Sequence, residues 1–346
     1  EIMLQLKKPP RLHRGDKVAT VSLSWGAAGS PDIRWRYELG KRRMETLFGL
    51  QVVEMPHTLA PERYVSEHPE KRAEDLMAAF ADDSIRAIFG VIGGNDSIRM
   101  LPYLDFELIR SHPKILTGYS DGTVSDFICM KAGLRSFYGA HVLNDFGEPG
   151  QMPLYTVRQV ETLLFSGQTV GRVDACNMTS EHGPAWSERL QPQRRCYVPD
   201  TGYAPLQGGL ARGTLIGGCF EVFPDFYQNV LLPPREAFQG SILFYEVCGC
   251  PDGETYAARM KKMAEHGFFD GIAGLLLGKP LGGRRAAALY DRITLQVLAE
   301  LGLSHIPVVS NATFGHNSPA GIIPIGAMAE LDGDNGRVSI LEAAVE

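Results

Sequence analysis

The stretch Lys114–Thr123, "KILTGYSDGT", decides how the first half of the chain folds. An apolar run leads directly into a serine between two glycines, and the helix-like "VSDFICMKAGL" follows at once. A buried strand that passes so quickly into a helix is typical of a parallel sheet covered by helices. The pattern Gly118-x-Ser120-x-Gly122 also fits the G-x-S-x-G turn, which exposes a serine oxygen at its apex. The alternative is that Ser120 only caps the following helix.

The segments before this stretch repeat the alternation of strand and helix. Strand-like runs are "KVATVSL", "LQVVEM" and "RAIFGVI", and the amphipathic patterns between them are "RWRYELGKRRMETLF" and "PEKRAEDLMAAFAD". Short β-branched runs between longer amphipathic segments predict a parallel sheet with helices on both faces. We therefore predict an N-terminal α/β domain over residues 1–175.

The second half of the chain begins with a stretch that lacks regular periodicity. Pro, Arg, Gln and Gly dominate residues 176–208, and loops of this length without regular structure are seldom idle, so a connector with a substrate loop is predicted. A plain solvated linker is the alternative. Residues 209–346 mix strand and helix patterns and end in a hairpin signal, "IPIGAMAELDGDNGRVSILEA". The predicted fold is therefore α/β, with a parallel-sheet domain, a mixed α/β domain and a cleft between them.

Composition excludes several classes of protein. The 346 residues include 44% hydrophobic and 21% charged residues, which is typical of a globular chain. The balance of 34 Lys+Arg against 40 Asp+Glu argues against a general nucleic-acid or anionic-membrane surface. No run approaches the roughly 18 apolar residues of a membrane span, and no apolar signal segment stands at the start, so a cytoplasmic protein is expected.

Cysteine usage predicts reduced thiols. The six cysteines are few for this length and form no paired CxxC knuckles. Cys248-Gly-Cys250 is the one close pair in the sequence, and a redox or metal role for it stays open.

Three residues have the types and positions that acyl transfer requires. A nucleophilic serine needs a base, and the base needs a group that fixes its tautomer. His316 lies in the loop "NATFGHNSP" after a strand-like run, whereas His141 in "YGAHVLNDFG" is the second candidate for the base. Glu246 ends the apolar run "GSILFYE", and a buried carboxylate without a partner is costly. Ser120, Glu246 and His316 thus each follow an apolar strand, and together they would bridge the two domains. The alternatives are that His316 has only a structural role and that the chain reaches solvent at Glu246, so that its carboxylate needs no partner.

Backbone donors for a developing oxyanion are also present. The amide of Asp121 begins the helix after Ser120, where free N–H groups favour negative charge. Gly93 and Gly94 in "VIGGND" follow a buried strand and allow close approach of backbone to a ligand. We expect the oxyanion site to lie between these two turns.

Together these motifs resemble one family along nearly the whole chain. The residues that carry the resemblance are "RLHRGDKVATVSLS", "VIGGNDSIRMLPYLDFELIRSHPKILTGYSD", "YGAH", "ARGTLIGG", "LFYE", "FGHNSP" and "IPIGAMAELD". The sequence is similar to the LD-carboxypeptidases and their relatives the microcin C immunity proteins, which are serine peptidases with a Ser-Glu-His triad. The resemblance implies a nucleophile at Ser120, an orienting acid at Glu246 and a base at His316. It also implies a homodimer and neither a metal nor an organic cofactor.

The long connector looks more like the immunity branch of the family. In that branch a loop tryptophan stacks on the nucleotide base of the toxin, and Trp186 is the matching residue here; the alternative is that Trp186 packs the connector onto the body. Two stretches depart from the family. Cys219 stands in "IGGCF" where asparagine is expected, and "VCGCPDGETY" differs from the known peptide-carboxylate-binding versions. Substrate preference therefore does not carry over.

Three functions remain open from sequence. The first is a serine hydrolase that cleaves the amide of an aminoacyl-nucleotide toxin, with a murein tetrapeptide as the competing small-molecule substrate. The second is a protein that sequesters a toxin without turnover. The third is an ordinary α/β-hydrolase esterase, which would carry all three residues on one continuous sheet.

Overall fold

The computed structural model describes residues 4–187 and 195–346, and the described strands form two large sheets and one small one. The strands of the first half are β1 Lys17–Val21, β2 Gln51–Glu54, β3 Ile85–Gly90, β4 Ile115–Gly118 and β5 Phe137–Tyr138. The helices of this half are α1 Arg34–Thr46, α2 Glu62–Glu67, α3 Pro69–Ala81, α4 Phe106–Ser111, α5 Thr123–Ala132 and α6 Leu154–Val160.

The remaining strands and α-helices belong to the second half of the chain. Its strands are β6 Gly171–Val173, β7 Met178–Thr179, β8 Val198–Pro199, β9 Ala204–Gln207, β10 Leu210–Cys219, β11 Ile242–Glu246, β12 Gly274–Gly278, β13 Val308–Ala312, β14 Ile323–Pro324, β15 Met328–Asp332 and β16 Arg337–Ile340. Its helices are α7 Gly253–Glu265 and α8 Gly283–Glu300. Short 3-10 turns lie at Ala27–Gly29, Ser97–Tyr103, Ser120–Gly122, Phe223–Phe226 and Arg235–Ala237, and π-helical turns at Val142–Phe146 and Glu161–Phe165.

The first sheet has the described strand order β14-β5-β4-β3-β1-β2. β1 to β5 run parallel, and β14 adds an antiparallel edge strand to β5. All residues of β4 are buried, as are all but one of β3, because helices cover both faces of the sheet. The carboxyl ends of the parallel strands therefore share one edge, where the turn at Ser120 follows β4.

The second sheet has the described order β6-β16-β15-β10-β11-β12-β13-β9. Its centre, β10 to β13, is parallel, and antiparallel strands flank it on both sides. β11 and β12 are buried along their whole length, as expected for strands covered on both faces. The carboxyl ends of β11 and β13 lie along one edge of this sheet, and that edge carries Glu246 and the loop of His316.

The predicted fold class is confirmed: a parallel-rich sheet forms the N-terminal part and a mixed sheet the C-terminal part. The closing hairpin also forms, with β15 and β16 paired antiparallel through Ala329 and Ile340. The single-sheet esterase alternative is wrong, because β4 and β11 belong to different sheets. The domain limits at 175/176 and 208/209 stay predictions. Three of the described strand pairs cross them: β6 joins β16, β14 joins β5, and β9 of the predicted connector joins β13.

Among the helices of residues 4–187 and 195–346, none is both long and apolar enough to cross a membrane.

Candidate active site

The turn after β4 holds Ser120 in a strained backbone conformation. Its φ is +58°, which is uncommon for a residue other than glycine. The 3-10 turn Ser120–Gly122 and then α5 follow directly, so the chain reverses within a few residues. Strain of this kind persists only where the surrounding structure fixes it, and it concentrates at functional sites.

Hydrogen bonds connect Ser120, His316 and Glu246 in one continuous chain. The Ser120 Oγ lies 3.0 Å from His316 Nε2, and His316 Nδ1 lies 2.8 Å from Glu246 Oε1. Glu246 is the last residue of β11 and is fully buried, whereas His316 follows β13 by four residues and keeps part of its ring exposed. Both distances are within the range for proton transfer between nucleophile and base and for orientation of the base.

The backbone of the His316 loop is fixed by the next side chain. The Asn317 amide donates to the carbonyl oxygens of Lys279 at 3.0 Å and Pro280 at 3.2 Å, and Asn317 is buried. The loop therefore has little freedom to move the imidazole away from Glu246.

Tyr138 connects the carboxylate to the serine turn. Its hydroxyl donates to Glu246 Oε1 at 2.8 Å and accepts the Ser120 backbone N–H at 3.3 Å. Sequence reasoning missed this residue, although it stands directly before the "GAH" that drew attention to His141. Gly315 packs on the other side of the carboxylate, because a Cβ there would lie 2.5–2.8 Å from Glu246 Cγ, Cδ and Oε2.

His141, the second candidate for the base, has a different position. Its Nε2 accepts a hydrogen bond from the backbone N–H of Tyr119 at 3.1 Å, so His141 stabilises the backbone directly before Ser120. Burial, with a smaller contribution from the charge of His316, lowers the pKa of His141 to about 3. His141 is therefore a neutral acceptor at physiological pH.

A small space lies between Gly93, the Ser120 hydroxyl and the Asp121 amide. A Cβ built on Gly93 would lie 3.3 Å from Ser120 Oγ and 3.4 Å from Asp121 N. An oxyanion formed by attack of Ser120 requires such a position, close to the nucleophile and within reach of a backbone donor. The Asp121 side chain holds the end of the loop that contains Gly93 and Gly94, since its Oδ2 accepts a hydrogen bond from the Ser97 N–H at 2.9 Å. Gly94 follows at φ +153°, and a Cβ there would overlap Ser24 Oγ.

Comparison with known proteins identifies the family of this chain. Residues 18–139 match the family description "LD-carboxypeptidase N-terminal domain", and residues 212–331 match "LD-carboxypeptidase C-terminal domain". The chain belongs to the LD-carboxypeptidase family. The resemblance predicted from sequence is thereby confirmed.

Three relatives indicate the range of this family. A solved structure of an MccF-like protein from Streptococcus pneumoniae in complex with AMP is 30% identical and has a TM-score of 0.85, with 94% of this chain and 98% of that chain covered. The microcin C7 self-immunity protein MccF of Escherichia coli is 27% identical over 85% of each chain. A Bacillus subtilis protein described as a probable murein peptide carboxypeptidase is 27% identical over 98% of this chain and 95% of its own.

Trp186, which the resemblance to the immunity branch predicts to stack on a nucleotide base, packs in an aromatic stack. Its ring lies 5.5 Å from that of Trp25 at an interplanar angle of 14°, and the guanidinium of Arg36 lies 4.9 Å from its centroid. Trp25, which sequence reasoning missed, is 37% exposed. It lines a cavity of about 470 Å³ together with Ser24, Glu62, Gly94, Asn95 and Asp96. The residues 188–194 of the predicted substrate loop lie outside the described residues.

The departure from the LD-carboxypeptidase pattern at Cys219 lies next to the triad. Cys219 is the β10 partner of Glu246 in the sheet, and its Sγ lies 3.7 Å from Cys248 Sγ. The hydrogen bond with Cys219 and a further one with His316 lower the pKa of the Cys248 thiol, although burial opposes this. The Cys219 backbone N–H also donates to Thr123 Oγ1 at 2.9 Å, which connects β10 to α5. Cys250 is exposed and lies outside this pair.

The charge of Glu246 predicts how activity depends on pH. Burial alone would lower the pKa of His316, but the charge of Glu246 and hydrogen bonds to Cys248 and Glu246 raise it well above its usual value. A base must be neutral to accept the serine proton, so kcat/KM is expected to rise with pH through a midpoint above the ~6.5 of free imidazole. A pH–rate profile with Glu246→Gln in parallel measures this, because the variant should shift the midpoint downwards. A flat profile between about pH 5 and 8 would contradict the role given to His316.

Gly93→Ala tests the space beside the serine. The added methyl group would lie 3.0 Å from Ser120 Cβ and occupy the position expected for the oxyanion. We expect kcat to fall by about 10²–10³, the usual cost of losing one oxyanion donor, while the melting temperature changes little. Steady-state kinetics and thermal denaturation of the variant measure both quantities. An unchanged kcat would show that no oxyanion forms in this space.

Proposed function

We propose that this protein is a serine hydrolase that cleaves an amide bond next to an amino-acid carbonyl through an acyl-enzyme. The observation that carries the proposal is the unbroken hydrogen-bond chain from Ser120 Oγ through His316 to Glu246. Homology supports it, because relatives of this family are named as carboxypeptidases.

Each residue of the site has a defined task in this mechanism. His316 Nε2 accepts the Ser120 proton while Ser120 Oγ attacks the carbonyl carbon, and Glu246 holds the ring and stabilises the imidazolium. The amide of Asp121, with the backbone at Gly93 and Gly94, stabilises the oxyanion. The imidazolium then gives its proton to the leaving nitrogen. Water attacks the acyl-enzyme with His316 again as base, which releases the acid and restores Ser120.

We propose an aminoacyl nucleotide as the substrate class. Trp25 offers an exposed indole on the wall of a cavity that also includes Gly94, so a base held there would lie beside the expected oxyanion site. Trp186 stacks behind Trp25 and orients it. The Streptococcus pneumoniae relative in complex with AMP and the microcin C7 immunity protein support this substrate class. In this arrangement Trp186 contributes to substrate binding by orienting Trp25.

A murein tetrapeptide is the second candidate substrate. The Bacillus subtilis relative described as a murein peptide carboxypeptidase is similar over nearly its whole length, which favours this reading. Such a peptide has no nucleobase, so the aromatic stack would only pack the connector against the body. The homodimer expected from the resemblance stays a prediction in either case.

Trp25→Ala, assayed on both substrates, distinguishes them. One substrate is an aminoacyl-sulfamoyl adenosine, in which an acyl–nitrogen bond takes the place of the labile acyl phosphate, and the other is a murein tetrapeptide. Stacking of a base on an aromatic ring contributes about 1–3 kcal/mol, so KM for the adenosine compound should rise about 5- to 150-fold. Mass spectrometry of the products measures both reactions, and Ser120→Ala gives the background.

The outcomes separate the two readings. Serine-dependent release of the amino acid from the adenosine compound, with KM raised by Trp25→Ala, supports the nucleotide substrate. Serine-dependent release of terminal D-alanine alone would replace it with the murein peptide. Hydrolysis of neither compound would contradict the proposed function.

A further inference from the structure

A cluster of three potential ligands lies beside the triad and takes no part in the mechanism above. Cys219, at the end of β10, and Cys248, two residues beyond β11, direct their sulfurs towards the carboxylate of Glu221. The Sγ–Sγ distance is 3.7 Å, and Glu221 Oε2 lies 3.4 Å from Cys219 Sγ and 3.5 Å from Cys248 Sγ.

These three distances match one face of a zinc tetrahedron. Zinc binds thiolate sulfur at about 2.3 Å and carboxylate oxygen at about 2.0–2.2 Å. With tetrahedral angles, two sulfurs are then about 3.8 Å apart, and a sulfur and an oxygen are about 3.5–3.6 Å apart. The observed separations differ from these values by about 0.1–0.2 Å, so a cation would bind with little movement of the side chains.

The carboxylate is already held in a ligating orientation. Glu221 Oε1 accepts the Gly249 N–H at 2.8 Å, and Oε2 accepts the Cys248 N–H at 3.2 Å. Contacts of this kind orient metal ligands and are part of most protein metal sites. Cys219 is buried, whereas Cys248 is half-buried and Gly249 is exposed, so a cation can enter from the side of residues 248–250.

We propose that Cys219, Glu221 and Cys248 bind a zinc ion. Both thiols release their protons to solvent as two Zn–S bonds and one Zn–O bond form. The His316 ring nitrogens make their hydrogen bonds to Glu246 and Ser120, so we assign the fourth position of the tetrahedron to a water molecule. Two thiolates and a carboxylate suit zinc better than calcium or magnesium, which prefer oxygen ligands. None of the three triad residues is a ligand of this site, although Cys248 also contacts His316.

Metal binding to the reduced full chain tests this proposal without any assay of activity. Under argon, Co²⁺ is added as a spectroscopic probe, and Zn²⁺ is measured separately by equilibrium dialysis and metal analysis. We expect one equivalent of either cation per chain, with tetrahedral cobalt bands and a thiolate-to-cobalt charge-transfer band. Zn²⁺ should displace the Co²⁺.

Substitutions locate the site. Cys248→Ser and Glu221→Gln should each weaken Zn²⁺ binding by roughly 100-fold or more, because even the loss of an outer partner costs 10–100-fold. Cys219→Ser should do the same, and circular dichroism checks its folding because Cys219 is buried. Cys250→Ser is the matched control, since its exposed thiol lies outside the cluster and binding should stay unchanged.

Two results would overturn the proposal. One is that the fully reduced protein binds neither cation. This result overturns the proposal even if a separate treatment with mild peroxide joins Cys219 and Cys248 in a disulfide. The other is binding that persists at full strength in both Cys248→Ser and Glu221→Gln.

Discussion

Ser120→Ala is expected to lower kcat by about 10⁴–10⁶, the largest effect of any single substitution in this protein. The hydroxyl is the only atom group removed, and it is the group that lies 3.0 Å from the His316 ring. Binding of substrate and the oxyanion donors remain, so a residual rate above that in water is expected. Steady-state kinetics on the substrate that the wild type hydrolyses fastest measures the loss.

A matched control separates this chemistry from a change in folding. Ser125 lies in α5, the helix that follows the Ser120 turn, and is buried, so Ser125→Ala removes a buried hydroxyl five residues beyond Ser120. Both variants should have melting temperatures close to that of the wild type, and only Ser120→Ala should lose activity. Equal loss in the two variants would mean that α5 is disturbed, and a fully active Ser120→Ala would remove Ser120 from the mechanism.

Glu246→Gln is expected to lower kcat by about 10³–10⁴, which is the second largest effect. Its Oε1 accepts hydrogen bonds from both His316 and Tyr138, and a neutral amide cannot stabilise the imidazolium that forms when Ser120 loses its proton. An amide can also donate to the ring and thereby favour the wrong tautomer, the reason that an Asp→Asn change in a serine protease triad costs about 10⁴. Kinetics and the pH–rate profile together measure the effect.

The size of the buried side chain is kept in this variant, so stability should change little while activity falls. Glu107→Gln is the surface control, because Glu107 is exposed and its ion pair with Arg110 contributes little. A Glu246→Gln variant with normal kcat would show that His316 does not depend on the carboxylate. If Glu246→Gln unfolds the protein, Tyr138→Phe is measured in its place. This substitution removes the second hydrogen-bond donor to Glu246 and distinguishes a catalytic role of the carboxylate from a structural one.

Much of the site could be predicted from sequence because each triad residue has a local signal. Ser120 lies in a glycine-flanked turn, Glu246 ends an apolar run, and His316 follows another in a polar loop. The carboxyl ends of parallel strands meet at one edge of a sheet, so residue type and strand position together are informative. The roles assigned to these residues stay predictions until they are tested.

The other parts of the site depend on tertiary contacts that have no local signal. Tyr138 reaches Glu246 only because β5 of one sheet lies against β11 of the other. Trp25 and Trp186 are far apart in sequence and meet only when the connector folds back. The sequence draws attention to Cys248 with Cys250, whereas the structure pairs Cys248 with Cys219, 29 positions away. Spacing along a chain cannot give such pairings, because it fixes no distance between elements.

The central claim is that this protein turns over its substrate, and the most direct test counts product molecules per chain. Wild-type protein is mixed with a large excess of aminoacyl-sulfamoyl adenosine, and the free amino acid is measured over time by mass spectrometry. We predict release of many equivalents of amino acid per chain, because attack of water on the acyl-enzyme restores Ser120. Release that stops at one equivalent, or tight binding without release, would contradict hydrolysis and would identify the protein as one that sequesters its ligand.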